Sequence, residues 1–266
     1  MSSTTSLLVR KLECFQPLSQ EEKAMLEQCT RPLREVGARQ DIIREGDTPD
    51  KVFLILAGFA CRYKIIEGGR RQIMAYLVPG DFCDFQAFIL NEMDHNIGTL
   101  SACQVVEIPR SVILAMTDRP AIARSLWWAS LVDSATLREW LVNMGQRPAE
   151  QRIAHLLCEL LVRLEAVGLV TDNTYMLPIT QTDLGDTMGL TVVHANRMLA
   201  SLRDEALIEV DVRKITIRDV RRLKAFSGFN ANYLHLDNPA RMTRRSDAWI
   251  PRGDLSKART DNADPG

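Results

Sequence analysis

Leu177-Pro178-Ile179-Thr180-Gln181-Thr182-Asp183-Leu184-Gly185-Asp186-Thr187-Met188-Gly189-Leu190-Thr191-Val192-Val193-His194-Ala195-Asn196-Arg197-Met198-Leu199 is the stretch whose pattern decides the reading of this chain. Thr180 is placed to N-cap a short helix, with Asp183 three residues on, where a full capping box has Glu or Gln. Leu184 and Met188 stand at i and i+4 and face inward. Gly189 permits the left-handed backbone of a short turn, Leu190 plugs the junction, and Thr191 caps a second helix. Met198, Leu199 and Leu202 anchor that helix, which leaves Val192, Val193, His194, Asn196 and Arg197 on its first turns. The pattern predicts a helix-turn-helix.

A recognition helix enters the major groove by its N-terminal end, and helix N-termini favour phosphates. Arg197 can then give two donors to guanine O6 and N7, Asn196 can bridge adenine N6 and N7, and His194 can donate to a base or a phosphate. Thr180, Gln181, Thr182 and Thr191 sit at the two helix starts and complete the expected DNA-contacting set. Downstream, Leu207 to Val212 and Ile215 to Ile217 alternate as a hairpin with Arg213 and Lys214 at its tip. That is a wing, with a basic pair near the DNA backbone. The plainer alternative is a helical pair and hairpin in a protein interface.

Upstream, Ala121 to about Asn143 reads as a long helix that leaves little of its circumference polar, so it must be covered on more than one side. One face can pack on the preceding domain, and a two-fold copy of the same helix can cover the other through Ile122, Leu126, Leu137, Trp140 and Leu141. The competing reading buries the helix in a monomer core. After a hinge near Gly145 to Pro148, Ile153, Leu156, Leu157, Leu160, Leu161 and Leu164 mark a helix with one buried stripe, closed by Gly168.

From Val36 to Pro109 short β-like runs are broken at Glu45-Gly46-Asp47, Gly58, Glu67-Gly68-Gly69 and Pro79-Gly80-Asp81. Val52 to Leu56 is apolar throughout, as in a strand covered on both faces, and Ile65 to Tyr76 reads as a hairpin. An antiparallel β-roll follows. The expected fold is α+β: a β-roll with N-terminal helices over 1–118, a central dimerising helix over 119–145, and a winged helix-turn-helix over 146–237. The polar stretch 238–266 reads as a disordered tail.

The chain has 266 residues and a net charge of -1, so no global basic field announces a nucleic acid. Within Thr180 to Lys224 eight basic residues face seven acidic ones, so arrangement rather than total charge carries the DNA reading. The cysteines at 14, 29, 61, 83, 103 and 158 form no C-x-x-C pair and read as reduced thiols. No run approaches the roughly 18 apolar residues of a membrane helix. With no signal-peptide pattern, the chain is expected to be soluble and cytoplasmic. No G-x-S-x-G, P-loop, H-E-x-x-H or dinucleotide fingerprint in the right context points to an enzyme.

Taken in order, the glycine-punctuated roll ending in Pro79-Gly80-Asp81-Phe82, the long helix, and Ile179 to Arg197 followed by Leu207-Ile208 resemble the Crp/Fnr superfamily of transcription regulators over about Leu12 to Leu223. The resemblance implies an effector domain of cyclic-nucleotide type and a homodimer on a two-fold symmetric operator, with double-stranded DNA and RNA polymerase as partners. The effector residues it points to are Cys83, Asp84, Phe85, His95, Asn96, Leu137 and Arg138. Members that bind cyclic AMP carry Gly-Glu and Arg-Ser where Asp84-Phe85 and His95-Asn96 stand here, and Thr-Ser where Leu137-Arg138 stand. The charge complement of a cyclic phosphate is thereby lost, which argues against cyclic AMP.

The oxygen-sensing branch holds an iron-sulfur cluster on clustered N-terminal cysteines, whereas Cys14 and Cys29 stand apart, which argues against that cofactor. A haem stays open with His95, Cys83 or Cys103 as ligand, beside the plainer reading of His95 as a hydrogen-bonded pocket residue. Cys83 beside Asp84 reads as a redox switch or, better, as an inert buried thiol. Relatives that read the common half-sites carry Glu at the position of Val193 and Ser or Gly at Asn196, while Arg197 is kept. Two functional readings follow. In the first, an unidentified small molecule or redox signal in the roll moves the central helix; in the second, DNA binding is constitutive and the roll is structural or contacts polymerase.

Overall fold

The computed structural model describes residues 6–84, 89 and 92–236. Phe85 and the expected tail over 238–266 lie outside the described residues.

Two antiparallel four-stranded sheets form the roll. One runs β1-β8-β3-β6, from β1 (Leu33–Val36), β3 (Lys51–Ala57), β6 (Phe82–Cys83) and β8 (Cys103–Pro109). The other runs β2-β7-β4-β5, from β2 (Asp41–Ile43), β4 (Ala60–Ile65), β5 (Arg71–Leu77) and β7 (Asn96–Thr99). The apolar run Val52 to Ile55 lies at the centre of the first sheet, between β8 and β6, and is buried on both faces. The hairpin from β4 to β5 turns through Gly68 and Gly69 at φ +88° and +76°, a backbone that side chains with a Cβ resist.

Helices α1 (Leu7–Glu13) and α2 (Gln20–Gln28) precede the roll, and α3 (Arg110–Thr117) follows it. The long helix α4 (Pro120–Gln146) begins with Pro at its first turn, where the missing N–H costs nothing. Its apolar residues divide between two duties. Ile122 and Leu126 pack into a core with Leu8, Leu12, Val52 and Val106. Trp140 meets the edge of Tyr76 on β5, ring centroids 5.8 Å apart. Of the five residues expected to face a second copy, these three are therefore covered within the chain, while Leu137 and Leu141 are exposed together with Trp127 and Leu131. A helix apolar all round has no polar face to mark which side turns inward, so periodicity could not separate the two groups.

Helix α5 (Ala149–Ala166) also departs from expectation, because residues 153–161 are buried without a break rather than along one stripe. The reason is position: α5 belongs to one continuous core that joins β-roll residues Cys61, Ile73 and Tyr76 to Leu184, Met188 and Leu202 of the C-terminal module. Its polar residues are consequently enclosed. Glu159 has no exposed surface and accepts from Trp140 Nε1 at 2.9 Å, Tyr233 Oη at 2.8 Å and Arg163 Nη1 at 3.0 Å. Arg163 continues to Asp81 at 2.7 Å, and Lys11 of α1 bonds the other oxygen of that carboxylate. Burial and the neighbouring Arg163 bring the Lys11 ammonium down to about 7.

The remaining elements are β9 (Thr174–Met176), α6 (Gln181–Met188), α7 (Val192–Asp204), β10 (Ile208–Asp211), β11 (Lys214–Ile217), α8 (Val220–Ser227) and a 3-10 turn at Ala231–Leu234. Strand β9 was not expected; it pairs with β11 to make a three-stranded sheet, β10-β11-β9. Among the described residues no helix is long and apolar enough to cross a membrane.

Two predictions follow from the enclosed polar groups. Glu159→Ala leaves three donors without their acceptor, two of them buried, and is expected to cost about 3 to 5 kcal/mol in urea unfolding, with Glu159→Gln costing less. His155 is buried against Phe229 and Tyr233, and burial, then the Arg147 guanidinium, lower its pKa to about 4. The unfolded imidazole titrates near about 6.5. Below that value the unfolded chain takes up a proton that the folded chain refuses, so stability present above about 6.5 is lost as pH falls toward about 4. Melting temperatures of His155→Phe are expected to fall less over that window than those of the wild type.

Candidate nucleic-acid interface

Thr180 caps α6 as its sequence suggested, and Asp183 completes the capping box although it is one carbon shorter than Glu. The Thr180 hydroxyl accepts from the Asp183 N–H at 3.1 Å, and Asp183 Oδ2 accepts from the Thr180 N–H at 2.7 Å. Gly189 closes the helix at φ +62°. Gly185 is equally constrained, for a different reason. A Cβ there would lie 2.7 Å from the Leu190 carbonyl oxygen, so only glycine lets the inter-helix turn pack against α6. A glycine inside a helical pattern carried no sign of that contact in the sequence.

Thr191 caps α7 by accepting from the His194 N–H at 3.2 Å. Ala195 and Leu202 form the buried side of α7, with Met198 and Leu199 partly buried beside them. Val193 and Arg197 stand on the opposite, exposed side, and Val192 is exposed in the same first turn. His194 and Asn196 are half-buried on the flanks, Asn196 lining a shallow groove with Gln181, Arg203 and Val210. At the wing, Val212 and Arg213 make the two-residue turn between Asp211 and Lys214, and all four are exposed. The Arg213 carbonyl accepts from the Leu177 N–H at 2.7 Å, which ties the wing tip to the entry of the helical pair. Among the described residues Arg197, Arg213 and Lys214 have no carboxylate within 4.0 Å. Thr180, Gln181 and Thr182 are exposed at the start of α6.

The roll clamps α6 from behind. Arg39 grips Asp183 with two bonds, at 2.6 and 2.7 Å, and Arg71 bonds Asp183 at 2.6 Å and Asp186 at 2.8 Å. Gln72 donates to the Thr187 carbonyl at 3.2 Å, and the Tyr76 and Thr187 hydroxyls bond each other. Burial alone would raise the Asp183 carboxyl, but the bonds from Arg39, Thr180 and Arg71 outweigh it and hold it well below the ordinary carboxylate range. These contacts span 111 to 144 residues of sequence, and no local pattern announces them.

The expected effector residues are only partly brought together. Asp84, at φ +52°, and His95 face each other, with His95 Nε2 3.3 Å from Asp84 Oδ2 and Nδ1 2.6 Å from Asp94 Oδ1. The imidazole is thus held between two carboxylates. Cys83 is fully buried and its thiol is pushed up, chiefly by burial; Cys103 is raised to about 11 for the same reason. Asn96 is engaged with the Glu45 N–H at 3.1 Å. Leu137 and Arg138 point outward from α4, away from this group.

A cavity of about 130 Å³ lies instead where the roll, α1, α4 and α5 meet. Its cations are Lys11, Arg62 and Arg163, and its carboxylates Asp81, Asp84 and Asp133. Arg62 bonds Asp133 at 2.6 Å, while Arg163 and Lys11 share Asp81. Every cation already has its carboxylate, so these residues do not fit a cyclic phosphate, which needs uncompensated positive charge.

A roll of this topology joined by a long helix to a winged helix-turn-helix defines a class of DNA-binding regulators. Residues 33–119 match the cyclic nucleotide-binding domain model and residues 151–226 the Crp-like helix-turn-helix domain model. The chain is 30% identical over 213 residues to the transcriptional activator protein FnrL of Cereibacter sphaeroides, covering 78% of this chain and 85% of that one. It is 25% identical over 186 residues to the nitrogen fixation regulation protein FixK of Azorhizobium caulinodans, covering 69% and 74%. FixK2 from Bradyrhizobium japonicum has the same fold, with a TM-score of 0.65 at 24% identity over 73% of this chain and 96% of that one. The chain belongs to the Crp/Fnr family. It is a DNA-binding transcription regulator and not an enzyme.

Arg197→Ala is expected to weaken binding to a selected operator by about 1 to 3 kcal/mol and to relax preference at one base pair, while Arg213→Ala weakens all sequences alike. Titration of both variants against specific and scrambled duplexes distinguishes the two effects.

Proposed function

We propose that the chain works as a homodimer that sets its two α7 helices in successive major grooves of a two-fold symmetric operator. The observation that carries this reading is an exposed line on α4 whose large apolar members are Trp127, Leu131 and Leu141. Trp127, Leu131, Ser134, Arg138, Leu141 and Gly145 follow one another at alternating spacings of four and three, the repeat of a helix that packs along a parallel copy of itself. Trp127 is 64% exposed and Leu141 74%, on a helix whose other side is filled by the chain's own core. Apolar side chains of that size in one stripe call for a partner surface, and a two-fold copy supplies the same stripe. Such a dimer would act in the cytoplasm, at promoters, and would meet RNA polymerase there.

Control is proposed to enter through the roll, where an unidentified small molecule or redox change shifts α4 or the clamp on α6. A second reading is favoured by the self-compensated cavity and the buried, raised thiols: binding is constitutive, and the roll serves to hold the winged helix. Melting curves with a metabolite and haem panel, paired with operator titrations, separate the two. A ligand that raises the melting temperature and changes affinity supports control. Affinity indifferent to every additive supports the second reading.

The double variant Leu131→Glu/Leu141→Glu is expected to sediment as a monomer at micromolar concentration and to lose most operator affinity. Sedimentation as an unchanged dimer would remove α4 as the contact.

A further inference from the structure

Residues 229–236 follow α8 and lie beyond the matched helix-turn-helix residues 151–226, yet Phe229, Tyr233 and Leu234 are buried. Gly228 ends α8 at φ +62°, a left-handed turn after which the chain packs on α5 and then on α4. Phe229 meets the edge of the His155 ring, centroids 5.0 Å apart, and Tyr233 lies nearly parallel to the same ring at 6.1 Å. One turn further along α5, Glu159 Oε2 accepts from Tyr233 Oη at 2.8 Å and from Trp140 Nε1 of α4 at 2.9 Å. A single buried oxygen thus ties this segment to the long helix. Leu234 and Leu236 continue the contact, lining the cavity beside Trp128, Val132 and Thr136 of α4.

We propose that Tyr233 is a positioning residue for DNA binding, which holds the winged helix at a fixed angle to α4 through this strap. The direct covalent join between α4 and α5 is only Arg147 and Pro148, both extended, and element-terminal residues of this kind are where a hinge absorbs its rotation. The strap fixes the angle by a second route, from α8 across α5 to α4. The clamp of Arg39 and Arg71 on α6 supplies a third. In a two-fold dimer that angle decides the distance between the two α7 helices, so a slackened strap costs precision of spacing before it costs contacts to bases. A strap that only added stability would lower the melting temperature and leave spacing alone. The inference rests on the reading of a dimer with one α7 in each half-site.

The test uses the full-length protein and a two-fold symmetric duplex enriched from a random library. Affinity for it is compared with affinity for the same half-sites moved apart by one base pair, about 3.4 Å and about a tenth of a turn, at a temperature where circular dichroism shows each variant folded. The wild type is expected to prefer the enriched spacing. In Tyr233→Ala that preference is expected to shrink about tenfold, the scale of one hydrogen bond to a charged group. Tyr233→Phe, which keeps the ring on His155 and loses the bond to Glu159, is expected to fall between the two. Val105→Ala, in a core cluster of the roll that contains none of the strap residues, is the control for lost stability: its melting temperature is expected to fall with the spacing preference intact. A preference unchanged in both Tyr233 variants, or reduced as far in Val105→Ala, overturns the positioning role and leaves the dimer standing. A library that enriches only single half-sites, or a wild type indifferent to spacing, overturns the dimer reading and the role of Tyr233 with it.

Discussion

The Glu159 carboxylate is the constraint around which the chain is arranged. A carboxylate with no exposed surface is tolerable only when every oxygen is satisfied, and here α4, the C-terminal turn and α5 each send a donor to it. Arg163 extends the system to Asp81 beside the glycine turn of the roll, and Lys11 brings in the first helix. Five parts of the molecule thus converge on two carboxylates. This explains why α5 is buried on all sides, and why it is better seen as the axle between two modules than as the outer packing helix of one.

The clamp between the roll and α6 has a second consequence, for charge. The C-terminal segment by its own composition is close to neutral, and Asp183 and Asp186 would set negative charge within the first helix of the pair. Arg39 and Arg71 offset both. What remains uncompensated on that side includes Arg197, Arg213 and Lys214, on the recognition helix and the wing. The charge balance on that side is therefore set by two modules, the roll offsetting carboxylates of the winged helix, which a residue count along one segment cannot show.

The helix-turn-helix was legible because its signals are local: a hydroxyl cap at Thr180, a left-handed glycine at Gly189 and a second cap at Thr191 each act within four residues. The roll was legible from its turn glycines and the apolar run at Val52. What escaped depends on distance. Gly185 is required by a carbonyl five residues on in a fold-dependent approach, and the Asp183 clamp by arginines more than a hundred residues away. The two duties of α4 escaped for a different reason: Ile122, Leu126 and Trp140 look no more inward in the sequence than Trp127, Leu131 and Leu141. The effector positions transferred by resemblance fared least well as a group, since Leu137 and Arg138 sit on the outer side of α4 while Asp84 and His95 hold each other.

Modules of this architecture invite exchange, because the join between roll and winged helix is a single short connection at Arg147 and Pro148. In this chain the transplant would carry a hidden dependency. A winged helix moved onto a foreign roll would bring Asp183 and Asp186 without their guanidinium partners and Glu159 without Trp140. The graft would retain the exposed residues of α7 and lose both the neutral backing and the rigid mount that the roll and α4 give this module.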